Sequence, residues 1–562
     1  MKIKILLLLL LTGNLQILSA QPGSLRERVY LQTDKDIYLA GELVWLKMLT
    51  TAEDGLPLNF SKVGYVELLD TVSPRAQAKL LLKDGKGSGS LILPTNLPNG
   101  TYRLVGYTRY MQNESPDIFF EKNIAVVNPL SAEVSRTQEN TAEMFPSGPA
   151  DIPVSPRGMR VSVSSKTYSP RSQVELQLTD LPGDLHSLSV SAVGRDMGNR
   201  LPAPALGMWA DRLSSLPVHP PGNRYLAEYE GHIITSRVLG SEDGSSVASP
   251  WLTPVLAFPA NEIQVFSGKI APDGTVSFFT SGADGYTEVI TTLRGTDASL
   301  YRIEVDAPFI RNHPAKALPL LDILQLDKER IRQQSIAMQV QYSYTNDSLT
   351  RFSYTAPHFW WPPDKSYLME EYTKFGTMEE VFLEFVTFTR FRRINGKRYL
   401  TVAQEETGFT NTNSLVLLDG IPVWDHELLI DYNPLLLDRI DVYYHNYVVG
   451  GHRYNGIIAM YTKENNYPEL TPDPSTRIFS YESPQARRLF FSPDHSGHTP
   501  GNRLPDYRTT LYWDPDIDTE GQSRITIPFY TSDIAGDYRV VVEGITREGK
   551  VVYAVADFEV KE

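Results

Sequence analysis

VYLQTDKDIYLAGELVWLK, Val29 to Lys47, is the stretch whose reading decides the fold. Val29 to Lys35 alternates apolar and polar residues, the period of a strand with one buried face. The chain turns at Asp36, resumes at Tyr38-Leu39, turns again at Gly41-Glu42 and runs on through Leu43 to Leu49. Aromatic and β-branched residues in short runs, punctuated by Gly and Asp, predict strands and tight turns. Runs at 63–69, 79–83, 89–93, 101–110 and 119–127 obey the same rule, and Asn96-Leu97-Pro98-Asn99-Gly100 is a turn in which Gly100 supplies positive φ. The expectation is a β-sandwich over 24–128.

Working outward, residues 129–157 read as a linker rich in Glu, Thr, Ser and Pro. The opening pattern then returns. Lys166-Thr167-Tyr168-Ser169-Pro170-Arg171 echoes Lys35-Asp36-Ile37-Tyr38-Leu39-Ala40-Gly41, with an alternating strand after each. Tandem sandwiches are the simplest source of such an echo. A second β-sandwich region is expected over 158–310, with Ala271-Pro272-Asp273-Gly274 as a hairpin turn. Residues 311–357 change period. Leu320, Ile323, Leu324, Ile331 and Met338 share one helical face, which predicts an amphipathic linking helix over 318–341. A mixed α/β domain over 358–466 follows, with a helix at 378–388, a buried strand at 415–423 broken by a tight turn, and strands near 437–443 and 455–463. A last β-sandwich is expected over 477–562.

Composition agrees with this class. The chain has 30 Tyr, 38 Gly and 39 Pro, and 21% charged residues, which suits short strands joined by turns. Lys2 and Lys4, the apolar run 5–11 and the small pair Ser19-Ala20 read as a signal peptide over 1–20, with Gln21 as the first mature residue. Beyond it no run approaches ~18 uninterrupted apolar residues, so no transmembrane segment is expected in the mature chain. The sequence has no Cys, which removes disulfides, thiolate metal sites, cysteine nucleophiles and an N-terminal lipid anchor. In an exported protein this favours a Gram-negative envelope. The net charge of −14 argues against nucleic acid as a partner.

Three stretches resemble known families. Val29 to Lys47, with its Tyr38-x-x-Gly41-Glu42 turn between strands, resembles the macroglobulin-like domains of α2-macroglobulin relatives. RTTLYWDPDIDTEGQSRITIPFYTSDIAGDY, Arg508 to Tyr538, is similar to another macroglobulin-family segment. Ser414 to Lys463, through LLDGIPV, NPLLLDRIDVYY and NGIIAMYTK, resembles the plug domain of TonB-dependent outer-membrane receptors. The resemblance implies a mainly β protein: tandem Ig-like or macroglobulin-like β-sandwiches with one small α/β plug-like domain. Without Cys there is no thioester of the protease-trapping kind. About 95 residues after the plug-like block are too few for a 22-stranded barrel.

The motifs that could carry chemistry are incomplete. His426-Glu427-Leu428-Leu429-Ile430 begins like a zincin helix but lacks the second His. His445 and His452 flank Gly450-Gly451, and Asp514, Asp516 and Asp518 have calcium-loop spacing without the Gly and Glu that complete it. No nucleophile elbow and no phosphate-binding loop is present. The expectation is therefore no catalytic, cofactor or metal residue, and no enzyme. Candidate partner contacts are Phe359, Trp360 and Trp361, in a cluster that reads either as a buried strap or as a binding patch, and Asp419, Gly420 and Trp424. The resulting expectation is an exported, non-enzymatic binding or scaffold protein, periplasmic or outer-membrane associated. It would dock to an envelope protein such as an outer-membrane barrel of a TonB-dependent transport or assembly complex. The alternatives are a macroglobulin-like protease inhibitor with its bait in 131–157, and a carbohydrate-binding or hydrolytic enzyme using Trp360, Trp361 and Trp424.

Overall fold

A computed structural model describes residues 25–131, 159–195, 206–213, 215–217, 222, 224–259, 262–285, 288–322, 328–329, 331–336, 338–339, 358–359, 361–404, 408–409, 412–467, 469–485, 487–488, 490–496 and 505–562. The expected signal peptide, most of the 129–157 linker and Trp360 lie outside these residues.

Eight strands build the N-terminal sandwich: β1 (Glu27–Thr33), β2 (Ile37–Leu39), β3 (Leu43–Ala52), β4 (Val63–Leu69), β5 (Pro74–Leu81), β6 (Lys86–Ile92), β7 (Gly100–Thr108) and β8 (Phe120–Val127). A three-stranded sheet in the order β1-β3-β6 faces a five-stranded sheet in the order β2-β8-β7-β4-β5. Val29, Leu31, Val44, Leu46, Leu68 and Leu104 meet between them. The turn after β1 carries the chain from one sheet to the other. Tyr38 Oη accepts from the Lys35 backbone N–H at 3.2 Å and donates to the Asp34 carboxylate at 2.8 Å. β2 then pairs in parallel with β8, Ile37 opposite Ala125. Gly41 closes the turn at φ +94°, a conformation that costs a residue with a Cβ.

The echo at 166–176 is the same device repeated. β9 (Arg160–Val163) leads into β10 (Thr167–Tyr168), and Tyr168 Oη accepts from the Ser165 N–H at 2.7 Å. Arg171 stands where Gly41 stood, at φ +56°, and a two-pronged ion pair to Asp533 holds it there. β11 (Gln173–Thr179) and β12 (Leu185–Gly194) follow.

The strands that complete this second sandwich arrive only after residue 509. Between lie α1 (Leu206–Leu213), β13 (His232–Gly240), β14 (Thr253–Phe258), β15 (Glu262–Ser267), β16 (Thr275–Thr280), β17 (Glu288–Arg294), β18 (Tyr301–Val305), β19 (His358–Phe359), β20 (Lys365–Leu368), α2 (Met378–Glu384), β21 (Thr389–Ile394), β22 (Lys397–Val402), β23 (Leu415–Leu418), β24 (Ile421–Pro422), β25 (Leu437–Val449), β26 (His452–Thr462) and β27 (Arg477–Ser480). Then β28 (Thr510–Asp514), β29 (Arg524–Tyr530), β30 (Gly536–Thr546) and β31 (Val551–Val560) close it. Its sheets run β9-β11-β29 and β10-β31-β30-β12-β28. Strand for strand this is the N-terminal sandwich again, with an insertion between its fourth and fifth strands. The equivalent strands β7 and β30 even share a tyrosine corner: Tyr102 Oη donates to the Pro98 carbonyl and Tyr538 Oη to the Ile534 carbonyl, both at 2.8 Å.

This changes the expected domain boundaries. The units expected at 158–310 and 477–562 are not two separate sandwiches: β9–β12 and β28–β31 are halves of one. The reason is hydrogen-bonding demand. Most of β12 is buried, and its backbone needs a strand on each side, which β28 and β30 supply.

The inserted region forms a third sandwich, with sheets β16-β13-β18 and β19-β15-β14-β17-β27, around Val238, Leu256, Phe258, Phe278 and Leu293. It also forms the expected α/β unit, a sheet in the order β20-β25-β26-β23-β24 in which β23 and β26 are parallel. α2 is capped by Thr377 and Glu380 in a capping box and ends at Glu384, short of the expected 388. In the expected 318–341 helix, residues 331–336 are helical. Ile331 and Met338 cover Ile37, Leu39, Ala125 and Val127 at the edge of the N-terminal sandwich. The molecule is mainly β, as its periodicity predicts.

Candidate functional site

The α/β unit carries the sequence-predicted contacts, and its sheet is covered on both faces. On one face Val381 and Phe382 of α2 and Phe391, Leu400 and Val402 of the β21–β22 hairpin pack on Val416, Ile440 and Ile458. On the other, Leu415, Leu417, Ile457 and Ala459 lie against Val255, Ala257, Val265 and Ile290 of the third sandwich. Two hairpin tips lock this second interface. Asp419 (φ +48°) and Gly420 (φ +84°) form the two-residue turn between β23 and β24, the type I′ geometry that Asp-Gly favours. A Cβ on Gly420 would come within 3.0 Å of Pro259. The Asp419 carboxylate accepts from the Thr462 N–H at 2.7 Å, the Thr462 hydroxyl at 2.5 Å and the Tyr467 N–H at 2.8 Å. Gly450 and Gly451 make the second turn, and the Gly450 carbonyl accepts from the Ser267 N–H at 3.1 Å.

The six expected contacts therefore divide. Phe359 is buried in this internal interface. Asp419 is saturated by its own hairpin, and Gly420 rests on Pro259. Trp424 is half-buried, its Nε1 donating to Thr292 Oγ1 at 3.2 Å and its ring 5.4 Å from the Arg294 guanidinium. These four hold the α/β unit to the third sandwich, a correction to their reading as contacts for another molecule. The physical cause is that an apolar strand and its turn look alike whether an intramolecular or an external surface covers them. Trp361 is exposed, at 37%, beside Phe359 and 5.2 Å from the Tyr447 ring. Trp360 lies outside the described residues.

The histidine and aspartate motifs resolve individually. His426 Nδ1 accepts from the Leu400 N–H at 2.9 Å. His445 is exposed, and His452 sits across the Gly450-Gly451 turn. Asp514 pairs with Arg487, Asp516 with Lys86, and Asp518 accepts from the Glu520 N–H, so the three carboxylates do not converge. Among the described residues no group of three or more His, Asp or Glu could hold a metal ion. Burial, aided by the Arg294 charge, lowers His426 to about 4. Its folded value lies below the unfolded one of about 6.5. Its stabilisation is complete above that value and is lost as pH falls toward 4. Between about pH 7 and about pH 4 the α/β unit is expected to lose about 3 kcal/mol through this group. Urea titrations at both pH values check this, and His426→Gln should remove that part of the acid sensitivity.

A second constellation joins residues far apart in sequence, where the N-terminal and third sandwiches meet. The Tyr65 hydroxyl donates to Glu228 at 3.0 Å, Glu228 Oε1 lies 2.8 Å from His232 Nδ1, and His232 Nε2 lies 2.5 Å from the Tyr481 hydroxyl. All four are buried, and desolvation keeps His232 below its usual range. Two residues along β4, Glu67 meets His313 at 2.9 Å and the Tyr107 hydroxyl at 2.6 Å. His313 belongs to a strap, residues 306–316, that leaves β18 and crosses the outer face of the N-terminal sandwich. Beside this network lies a cavity of about 470 Å³ on which Lys79 opens. Sequence reading missed it. Its only trace was the expected strand at 79–83, which begins with Lys79.

No protein-family model matches the chain, and no curated protein does. Among solved structures, it is similar to trypsin-activated alpha-2-macroglobulin from Escherichia coli at 10% identity, over 95% of this chain and 41% of that one, with a TM-score of 0.24. Salmonella alpha-2-macroglobulin reacted with methylamine aligns at 9% identity, over 95% of this chain and 39% of that one, with a TM-score of 0.23. The Escherichia coli adhesin FdeC aligns at 12% identity, over 53% of this chain and 66% of that one, with a TM-score of 0.16. The chain thus spans about two fifths of the length of the alpha-2-macroglobulins it aligns with.

Proposed function

We propose that this chain is an exported, non-enzymatic binding or scaffold protein of the periplasm or outer membrane, which docks to an envelope partner such as a TonB-dependent transport or assembly complex. The observation that carries the reading is the sealing of its domain junctions by buried polar side chains. Tyr30 donates to Glu543, Ser189 to Gln32 and Thr510 to Asp34, each at 2.8 Å across the two related sandwiches. The Tyr65–Glu228–His232–Tyr481 chain does the same for the third. Such junctions hold surfaces in fixed relation, which suits docking. Among the described residues no helix is long and apolar enough to cross a membrane.

With one sheet face of the plug-like unit used internally, contact with a partner falls to its open edge. Trp361, Phe388 and Val448 are 37%, 59% and 64% exposed there. Phe388 adopts φ +61°, a strained conformation for a bulky residue, with its carbonyl held by the Ala403 N–H and its ring 4.9 Å from Tyr444. Strain of this kind is found where a side chain is displayed for use. A second reading, carbohydrate binding, draws on the same place: the Trp361 and Tyr447 rings lie beside Asp364, which accepts from the Tyr447 hydroxyl at 3.2 Å. The protease-inhibitor reading rests on 131–157, nearly all of it outside the described residues.

The test is a pull-down of the tagged chain from detergent-solubilised envelopes. Stoichiometric recovery of an outer-membrane barrel or its lipoprotein is expected, and the Trp361→Ala/Phe388→Ala double variant should weaken it about tenfold. Recovery of the chain alone, with retention on a glycan column, would favour the second reading.

A further inference from the structure

The cavity beside the buried network is built from three distant stretches: the outer face of β5, the strap at 307–309, and residues 480–482 after β27. Lys79 forms part of its wall and is only 3% exposed. Its ammonium sits 3.9 Å from the Tyr481 ring centroid and 5.8 Å from that of Phe309. Among the described residues no carboxylate or carbonyl takes a hydrogen bond or ion pair from it; Glu482 and Glu228 act on it only at longer range. Three other polar side chains of the wall are committed, while Ser480 is exposed to solvent. Arg75 pairs with Asp70 at 2.6 Å, Gln77 donates to Glu67 at 2.7 Å, and Glu482 accepts from Gln485 at 3.0 Å.

We infer that this cavity binds an organic carboxylate, whose charged end takes the Lys79 ammonium while an apolar body lies against the Phe309 and Tyr481 rings. A buried cation without an anion is costly, and a carboxylate at this position offsets that cost. Aromatic walls around one charged group, in a cavity of this volume, are the ordinary make-up of a small-ligand site. The Arg75 charge is balanced by Asp70, and Glu482, exposed and drawn toward Gln485, disfavours a second anionic group on the ligand.

The site makes binding pH-dependent. Burial lowers Lys79 to about 7, with Glu482 and Glu228 opposing the shift. The other titratable or charged groups around it are Tyr65 on β4, His232 on β13, Tyr481, and Arg75 on β5 itself; the 307–309 strap contributes none. Since only protonated Lys79 holds a carboxylate, affinity is full below the Lys79 value and falls as pH rises through it. A carboxylate should therefore bind about tenfold more weakly at about pH 8 than at about pH 6.

Calorimetric titration of the full chain with 3-phenylpropanoate, and with the chain-end mimic N-acetyl-Gly-Phe, distinguishes a free acid from a peptide C-terminus as the source. Expected are binding of at least one acid with proton uptake, the tenfold loss with pH, and no binding of the matching amide. Lys79→Met should abolish binding with the thermal midpoint unchanged or raised, since it removes an uncompensated buried charge, and Lys79→Arg should retain part of it. No binding of either acid up to about 10 mM, equal binding of acid and amide, or affinity indifferent to pH and to Lys79→Met would overturn the assignment.

Discussion

Asp34→Ala is expected to destabilise the N-terminal sandwich by about 3–5 kcal/mol, the largest loss of any single side chain in the crossover turn. The carboxylate is buried and accepts three hydrogen bonds: from the Tyr38 hydroxyl at 2.8 Å, the Trp45 N–H at 3.1 Å and the Thr510 hydroxyl at 2.8 Å. Truncation leaves the Trp45 N–H and the Thr510 hydroxyl without an acceptor in a place water does not reach, each orphan costing about 1–3 kcal/mol, and leaves the Tyr38 hydroxyl with only the Lys35 carbonyl at 2.9 Å. Asp34→Asn, which keeps an acceptor, should lose less. Thr510 lies on β28 of the second sandwich, so the two domains should weaken together. Urea unfolding followed by hydrogen exchange in both sandwiches measures this. A loss below about 1 kcal/mol, or one confined to the first sandwich, would show that Asp34 does not tie the two together.

Gly450→Val should come next, separating the α/β unit from the third sandwich. A Cβ at Gly450 would lie 2.7 Å from Phe266 Cα and from the Val265 carbonyl oxygen, both backbone, at φ +56°. Backbone cannot yield as a side-chain tip does, so the hairpin tip must lift and open the interface beneath it. The expected cost is about 3 kcal/mol or more, with faster exchange of the Ser267 amide. Gly451 is the internal control. It also has positive φ, +83°, but nothing lies within 4 Å of its Cβ position. Gly451→Asn, a residue that tolerates this conformation, should cost under about 1 kcal/mol. Equal losses for the two variants would mean that turn strain, and not the contact with β15, governs the effect.

The Asp34 and Gly450 cases show where legibility ends. Whatever depends on neighbours in sequence was readable. The alternation of Val29 to Lys35 marked a strand, and Asp419-Gly420 marked a tight turn. The recurrence of Lys, Tyr and a turn at 35–41 and 166–171 marked a repeated unit, now seen as two sandwiches of one topology. The α/β character of 358–466 followed from a helix candidate at 378–388 ahead of apolar strands at 415–423, 437–443 and 455–463. Candidate contacts were drawn from an aromatic cluster at 359–361 and from the tight turn at 419–420 with Trp424, and the internal burial of Phe359 and Asp419 was not legible because burial against one's own chain and burial against a partner demand the same residues.

By itself, then, the sequence determined the mainly β class, the strands and turns, and the repeated crossover, because side-chain period and allowed φ are local properties. The tertiary structure alone decided that β9–β12 are completed by β28–β31 across the insertion, that one face of the sheet of the α/β unit is covered by the third sandwich, and that Lys79 shares a cavity with Phe309 and Tyr481. The reason is that a strand edge offers the same N–H and C=O groups to every partner. Which edge it meets, and which side chains gather where domains touch, is set by packing between residues hundreds of positions apart.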